Sequence, residues 1–278
     1  MQELTLNNID QLVPVDSGES WKEYRFIAKT NLCDIPVLVR LNNPGSDRLL
    51  VTYNGAIQRA KAPDGVVFQR SSWLDEFAAN VVQIADPTMY RHASLQIGWG
   101  QLDEANWAIE SYVEILDALR QHFGLGNPEK TLHYGSSAGG FQASATAVFD
   151  RGSRVLVNNP QFDWSRYLPA FINALLRNVF PNAQLEEIKA ASPWRVSVLD
   201  LFARQDYVPE MDVMVNLASH SDLRDQLLPA VERLSEIQAV GTKPKVTFST
   251  YHDEKLNHNP LNKNVTISRI NAALESLY

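Results

Sequence analysis

Short apolar runs alternate with longer amphipathic stretches along most of this chain. Runs at 24–29 and 35–41, joined by the turn 30–34, read as an antiparallel hairpin. Further buried-type runs at 49–53, 81–85, 130–134, 154–157, 196–203 and 245–251 predict six more strands. Between them lie helical patterns. The clearest is 103–123, where Ala108, Tyr112, Ile115 and Leu119 share one face and Gly124 supplies a stop. The segment 161–192 is aromatic-rich and mostly helical in pattern, and 209–240 also reads as helix. Ile267, Ile270, Leu274 and Leu277 give the last helix an apolar stripe. Ser72 is placed to cap a short helix reaching about residue 79. Residues 1–20 are polar and weakly patterned, which predicts a loosely packed lead-in, and 42–47 with its Pro-Gly-Ser reads as a loop. A hairpin followed by strands alternating with helices predicts an α/β fold. Its eight strands would form a mostly parallel sheet with helices on both faces.

The stretch Thr131-Leu132-His133-Tyr134-Gly135-Ser136-Ser137-Ala138-Gly139-Gly140 carries the chemistry. Gly135, Ser137 and Gly139 satisfy G-x-S-x-G between a strand and a helix, the setting of a nucleophile elbow. Such a turn exposes the serine hydroxyl, and the N–H of the next residue, Ala138, then points where an oxyanion would form. The competing reading is a Gly/Ser-rich turn that only joins strand to helix. Ser136 is no rival, because Tyr134 occupies the place of its first glycine.

A serine hydroxyl needs a base, and the base needs a partner that fixes its tautomer. In a chain order of Ser, acid, His, the acid belongs just beyond strand seven and the base after strand eight. With strand seven at 196–203 the acid is Asp206, with Asp200 as the alternative. The base is His258, in the loop before the last helix, with His252 nearer the strand as the alternative. His133, in the strand before the elbow, and His92, His122 and His220 are less well placed. A second oxyanion donor is expected from Gly55 or Ala56, after the third strand. Trp164 and Tyr167 are the candidates for substrate contact, and 161–192 reads either as a small cap or as helix faces packed on the core.

The chain has 278 residues, 45% hydrophobic and 21% charged, enough for a substantial core in a single domain over 1–278. A net charge of -7 argues against a nucleic-acid or anionic-membrane surface. A single cysteine, Cys33, rules out an intrachain disulfide framework and suits a reducing compartment. Residues 1–14 lack the apolar core of a signal peptide, and no apolar run approaches a membrane span, so the expected location is the cytoplasm. His252, Asp253, Glu254 and His258 match no zinc spacing, and no metal or other cofactor is expected. Oligomeric state is not readable from these residues.

From about residue 24 onward the chain resembles the α/β-hydrolase superfamily, on the elbow, the strand count and the positions of acid and base. More narrowly, Tyr53-Asn54-Gly55-Ala56, Asp86-Pro87-Thr88-Met89-Tyr90, Tyr134 to Phe141 and Asn159-Pro160-Gln161 resemble bacterial hydrolase-like proteins. Those proteins are linked to surface-glycan modification and accessory secretion. His258-Asn259-Pro260 departs from the more usual His-Gly after strand eight. The resemblance implies a serine esterase working through an acyl-enzyme on a small-molecule or glycan ester. An acyltransferase acting on glycans, or a non-catalytic partner that keeps the fold, are the alternatives.

Overall fold

A computed structural model describes residues 1–42, 46–237 and 246–277. Among these, ten strands form one sheet: β1 (Gln2–Thr5), β2 (Asp16–Ser17), β3 (Lys22–Lys29), β4 (Asp34–Leu41), β5 (Leu49–Tyr53), β6 (Asn80–Ile84), β7 (Thr131–Ser137), β8 (Arg154–Pro160), β9 (Glu210–Asn216) and β10 (Val246–Tyr251). Their order is β1-β3-β4-β6-β5-β7-β8-β9-β10, with β2 beside β3. β3 and β4 form the expected hairpin, β4 and β6 are antiparallel, and the strands from β6 through β10 are parallel to one another. Setting aside β1 and β2, Ser137 ends the fifth strand in chain order, as the pattern requires.

Helices cover both faces because successive side chains of each strand point to opposite sides; α1 (Pro87–Arg91), α4 (Pro169–Val179) and α5 (Leu185–Ala191) lie in the connections between strands. Val51, Tyr53, Val82, Val155, Val157 and Val213 pack with α2 (Ile109–Phe123), α3 (Ala138–Phe149) and α7 (Val198–Gln205) in the larger apolar cluster. Their neighbours Leu38, Leu50, Leu132, Tyr134, Leu156 and Met214 meet Ile267, Ile270 and Leu274 of α9 (Lys263–Glu275). Helix α2 begins six residues later than its pattern suggested, after a turn in which Gln101 pairs with Trp107, and ends at Gly124 in the left-handed region (φ 65°).

Three expectations change. The run 196–203 is not a strand: it forms α6 (Pro193–Val196) and α7. Pro193 opens the first of these, the Ser197 side chain accepts from Leu199 N–H, and the buried residues Val198, Leu199, Leu201 and Phe202 follow helical spacing. The seventh of the core strands is instead β9, within the stretch that read as helix. Only the later part of that stretch is helical, in a π-helical turn (Asp222–Leu227) that runs into α8 (Leu228–Glu236). The lead-in also packs more firmly than its composition suggested, since β1 pairs with β3 and buries Leu4, and Ile9 is buried beyond it. The centre of the 42–47 loop, the end of the 209–240 stretch and Lys245 lie outside the described residues. No described helix is long and apolar enough to cross a membrane.

Candidate active site

β7 delivers Ser137 to the C-terminal edge of the sheet and turns at once into α3. Ser137 has φ 55° and ψ −126°, a strained backbone for a residue with a side chain. The turn closes only because its neighbours lack side chains. A Cβ on Gly135 would lie 2.1 Å from the Gly139 carbonyl oxygen, and one on Gly139 would lie 2.6 Å from that of Tyr53.

Two side chains meet at the Ser137 hydroxyl. His258 Nε2 lies 2.9 Å from Oγ, and Gln161 Nε2 donates to Oγ at 3.0 Å. On the far side of the ring, His258 Nδ1 is 2.8 Å from both carboxylate oxygens of Asp222. Hydrogen-bond accounting sets the proton order. Trp99 Nε1 can only donate, and it donates to Gln161 Oε1, so the Gln161 amide nitrogen faces Ser137. Oγ therefore accepts from Gln161, and its own hydrogen is left for His258 Nε2. Nε2 is then the acceptor, and Nδ1 carries the hydrogen shared with Asp222.

The position of Asp222 follows from the corrected strand. It lies six residues beyond Asn216, the end of β9, at the start of the π-helical turn, and its side chain is almost fully buried. A π-turn displaces side chains from α-helical register, and such turns occur often at functional sites. Asp206, expected as the acid, is not brought to His258. It sits at the C-cap of α7 with φ 47°, ahead of β9, and so at the opposite end of the parallel strands from Ser137. Asp200 lies within α7 and pairs with Arg233 at 3.1 Å. His252 is exposed just past β10, whereas His258 is half-buried at the hydroxyl.

Three asparagines from strand ends hold the loop that carries His258. Asn159 Nδ2 donates to the carbonyls of His258 (3.0 Å) and Asn259 (3.2 Å), while its Oδ1 accepts from Asn216 N–H (2.8 Å). Asn216 Nδ2 donates to the carbonyls of Asp253 (2.7 Å) and Asn257 (2.8 Å). Asn158 Oδ1 accepts from Leu261 N–H at 2.7 Å. The apolar run 154–157 stops before Asn158 and Asn159, which the structure keeps in β8 and uses to hold this loop, a role not read from the sequence. Two adjacent polar amides directly after an apolar run are the signal the sequence carries, and in the structure both are fully buried.

On the oxyanion side, Ala138 is the first residue of α3, so its N–H has no intrahelical acceptor. Gly55 approaches closely: a Cβ there would stand 3.6 Å from the Ser137 Cβ and 4.0 Å from Ala138 N. The Gly55 N–H is already given to Gln69 Oε1 (3.2 Å), which leaves the Ala56 N–H as the donor this loop can offer. The loop is anchored from below, because Asn54 Oδ1 accepts from Asp86 N–H at 2.8 Å. The Asp86 carboxylate in turn accepts from Thr88 N–H and Gly100 N–H. Burial raises the Asp86 pKa, opposed by those hydrogen bonds.

The two aromatic candidates separate. Trp164 is fully buried, donates through Nε1 to the Arg195 carbonyl (2.7 Å) and stacks between Trp99 and Phe180, so it is core and presents no face to a ligand. Tyr167 is partly buried with its ring centroid 5.8 Å from that of His258, and burial raises its pKa. Among the described residues no group of three or more His, Cys, Asp and Glu side chains converges as a metal site would.

Comparison with solved structures finds chains of the same architecture. A capsule O-acetyltransferase of Neisseria meningitidis serogroup A is 14% identical with a TM-score of 0.60, the match covering 95% of this chain and 99% of that one. An S-formylglutathione hydrolase from Agrobacterium tumefaciens is 15% identical with a TM-score of 0.58, over 96% and 99% of the two chains. An esterase from the archaeon Pyrobaculum calidifontis is 16% identical with a TM-score of 0.58, over 98% and 86%. The chain has the α/β-hydrolase fold. No protein-family model matches it, and no curated protein matches it in sequence. Within the α/β-hydrolase plan, Ser137, Asp222 and His258 follow the fifth, seventh and eighth core strands, in the order Ser, acid, His.

Proposed function

We propose that this α/β-hydrolase-fold chain is a serine esterase in which Ser137 is the nucleophile, His258 the general base and Asp222 the residue that orients and stabilises the imidazole. The observation that carries the reading is the continuous chain from Ser137 Oγ through His258 to Asp222, at 2.9 and 2.8 Å, mounted on a strained turn. Oγ attacks the acyl carbonyl while His258 Nε2 takes its proton, and the buried Asp222 carboxylate stabilises the imidazolium. The N–H groups of Ala138 and Ala56 receive the oxyanion. His258 then protonates the departing alcohol, leaving an acyl group on Ser137, and a water activated by the same imidazole releases it. Gln161 holds Oγ in line by donating to it, at the cost of one lone pair.

The acyl acceptor defines a second reading. The same acyl-enzyme can be discharged by a sugar hydroxyl in place of water. The observation favouring this is the near end-to-end likeness to a capsule O-acetyltransferase. Together with the sequence patterns linked to surface glycans, it makes an acylated glycan the preferred substrate class. The segment 161–192 supports that choice at one point, where Tyr167 borders His258 and offers part of a ring face. Purified protein should cleave short-chain nitrophenyl esters or acetylated oligosaccharides. Ser137→Ala should lose up to ~10⁶ of kcat. Full activity in Ser137→Ala would end the assignment, and release of peptides or long-chain lipids in preference to sugar esters would end the choice of substrate. Added oligosaccharide that collects the acyl group in place of water would favour transfer.

A further inference from the structure

Among the described residues one cation, Arg70, sits beside the nucleophile with no carboxylate paired to it. We propose that Arg70 forms an anion subsite next to Ser137, so that the ester this site takes carries a carboxylate or phosphate group. This rests on the reading of Ser137 as nucleophile. Arg70 Nη2 donates to the hydroxyl of Ser136, the residue immediately before Ser137, at 2.9 Å. Nη1 reaches Gln69 Oε1 at 3.5 Å, and that same oxygen accepts the Gly55 N–H of the oxyanion loop. The guanidinium thus stands between the elbow and the oxyanion loop, 5.1 Å from the centroid of the Tyr134 ring and 5.5 Å from that of Trp73.

What this arrangement lacks is charge balance. Arg70 is half-buried, its Nε is sealed from solvent without a hydrogen-bond partner, and no described carboxylate forms an ion pair with it. The Tyr134 hydroxyl beneath it is likewise buried and unpartnered. Contrast the other deeply placed arginines. Arg40 is paired with Glu23, Arg120 with Asp150, and Arg195 donates to three backbone carbonyls. Withdrawing a guanidinium from water without an anion is costly, and keeping it there in a left-handed backbone (φ 68°) adds strain. A ligand anion supplies the missing counter-charge, and a guanidinium fork matches the two oxygens of a carboxylate or phosphate. In a chain of net charge -7 the preference is local, set by this residue alone.

The test compares charged and neutral esters in two arms. In one the anion is in the acyl part, as 4-nitrophenyl hemisuccinate against 4-nitrophenyl acetate. In the other it is in the alcohol part, as 4-acetoxybenzoate against phenyl acetate. Wild type should favour the charged ester in at least one arm. Arg70→Gln should cut the charged-to-neutral ratio of kcat/KM in that arm by about 10–100-fold, mainly through KM, the range of one charge-assisted contact. Arg70→Lys should retain part of the ratio, and rising salt should raise the wild-type KM for the charged ester only. No charge preference in either arm, or a ratio unchanged in Arg70→Gln, overturns the subsite while leaving the nucleophile intact. If Arg70→Gln does not fold, a salt-independent KM in wild type overturns it equally. A wild type that turns over no ester, or a Ser137→Ala that does, overturns the reading of the site and the subsite with it.

Discussion

Two chains of hydroxyl, imidazole and carboxylate run through this molecule, and only one of them reaches solvent. In the core, Tyr53 Oη lies 2.9 Å from His133 Nδ1, and His133 Nε2 lies 2.9 Å from Asp150. At the sheet edge, Ser137 Oγ, His258 and Asp222 repeat the sequence of groups at nearly the same spacings. The differences lie around them. His133 is fully buried, and Arg120 grips Asp150 through two contacts of 2.7 Å, so that carboxylate's charge is already answered. Burial opposes ionisation of Asp150, yet the hydrogen bonds from His133 and Arg120 overcome it and hold its pKa at about 2. Among the described residues Asp222 has no such cation, and its ion-pair partner is His258 alone. Its charge is therefore available to an imidazolium on His258, as the proposed reaction requires. The hydroxyls differ too: Tyr53 sits in a strand with burial raising its pKa, whereas Ser137 sits on a strained turn facing the oxyanion donors. The same three groups hold a core together in one place and are arranged for proton transfer in the other.

Substitutions should separate the two chains, and the largest effect belongs to the open one. Asp222→Asn should slow ester turnover by up to ~10⁴, because an amide cannot stabilise the imidazolium. Asp206→Asn, at the far end of β9, should leave kcat/KM within about twofold, as surface changes away from a site usually do. Parallel kinetics on the two variants check this, and the reverse order would restore Asp206 as the acid.

The closed chain should instead govern stability. Asp150→Asn leaves the buried Arg120 with only the exposed Asp117 as counter-ion, at an expected cost of roughly 3–5 kcal/mol, read from denaturant midpoints. The pH dependence follows from the depressed carboxylate. Its contribution is fully present above the ordinary value of 3.8 and is lost as pH falls through about 2. Over that window wild type should lose about 2 kcal/mol that Asp150→Asn has already lost. A smaller effect is expected for Asn159→Ala, which frees the carbonyls of His258 and Asn259. Displacing the base by about 1 Å can cost ~10² in kcat, and thermal unfolding of the variant would show whether the fold is kept.

The sequence made seven of the eight core strands legible, together with the elbow and the histidine that reaches Ser137, because each rests on a local pattern. Gly135 and Gly139 stand at fixed spacing around Ser137, the first required by a contact inside its own turn and the second by the Tyr53 carbonyl of β5, and His258 lies between a strand and a helix whose periods are clear. The carboxylate that meets His258 was not legible for a traceable reason. Val196, Val198 and Leu199 supply a β-like apolar run, but Pro193, the Ser197 cap and tertiary packing make the segment helical, so the strand count slid by one element. The positional rule, acid after strand seven, then pointed to a loop that does not reach His258. Gln161 and Arg70 were hidden differently, since their value comes from partners more than twenty residues away, at Trp99, Ser137 and Ser136.

The most direct test of the open chain is covalent. Purified protein treated with a fluorophosphonate probe and mapped by peptide mass spectrometry should carry the adduct on Ser137. Labelling should be abolished in Ser137→Ala and strongly slowed in His258→Ala, but retained in Asp206→Asn. An adduct on another residue, or a labelling rate indifferent to His258, would contradict the assignment of Ser137 and His258 as nucleophile and base.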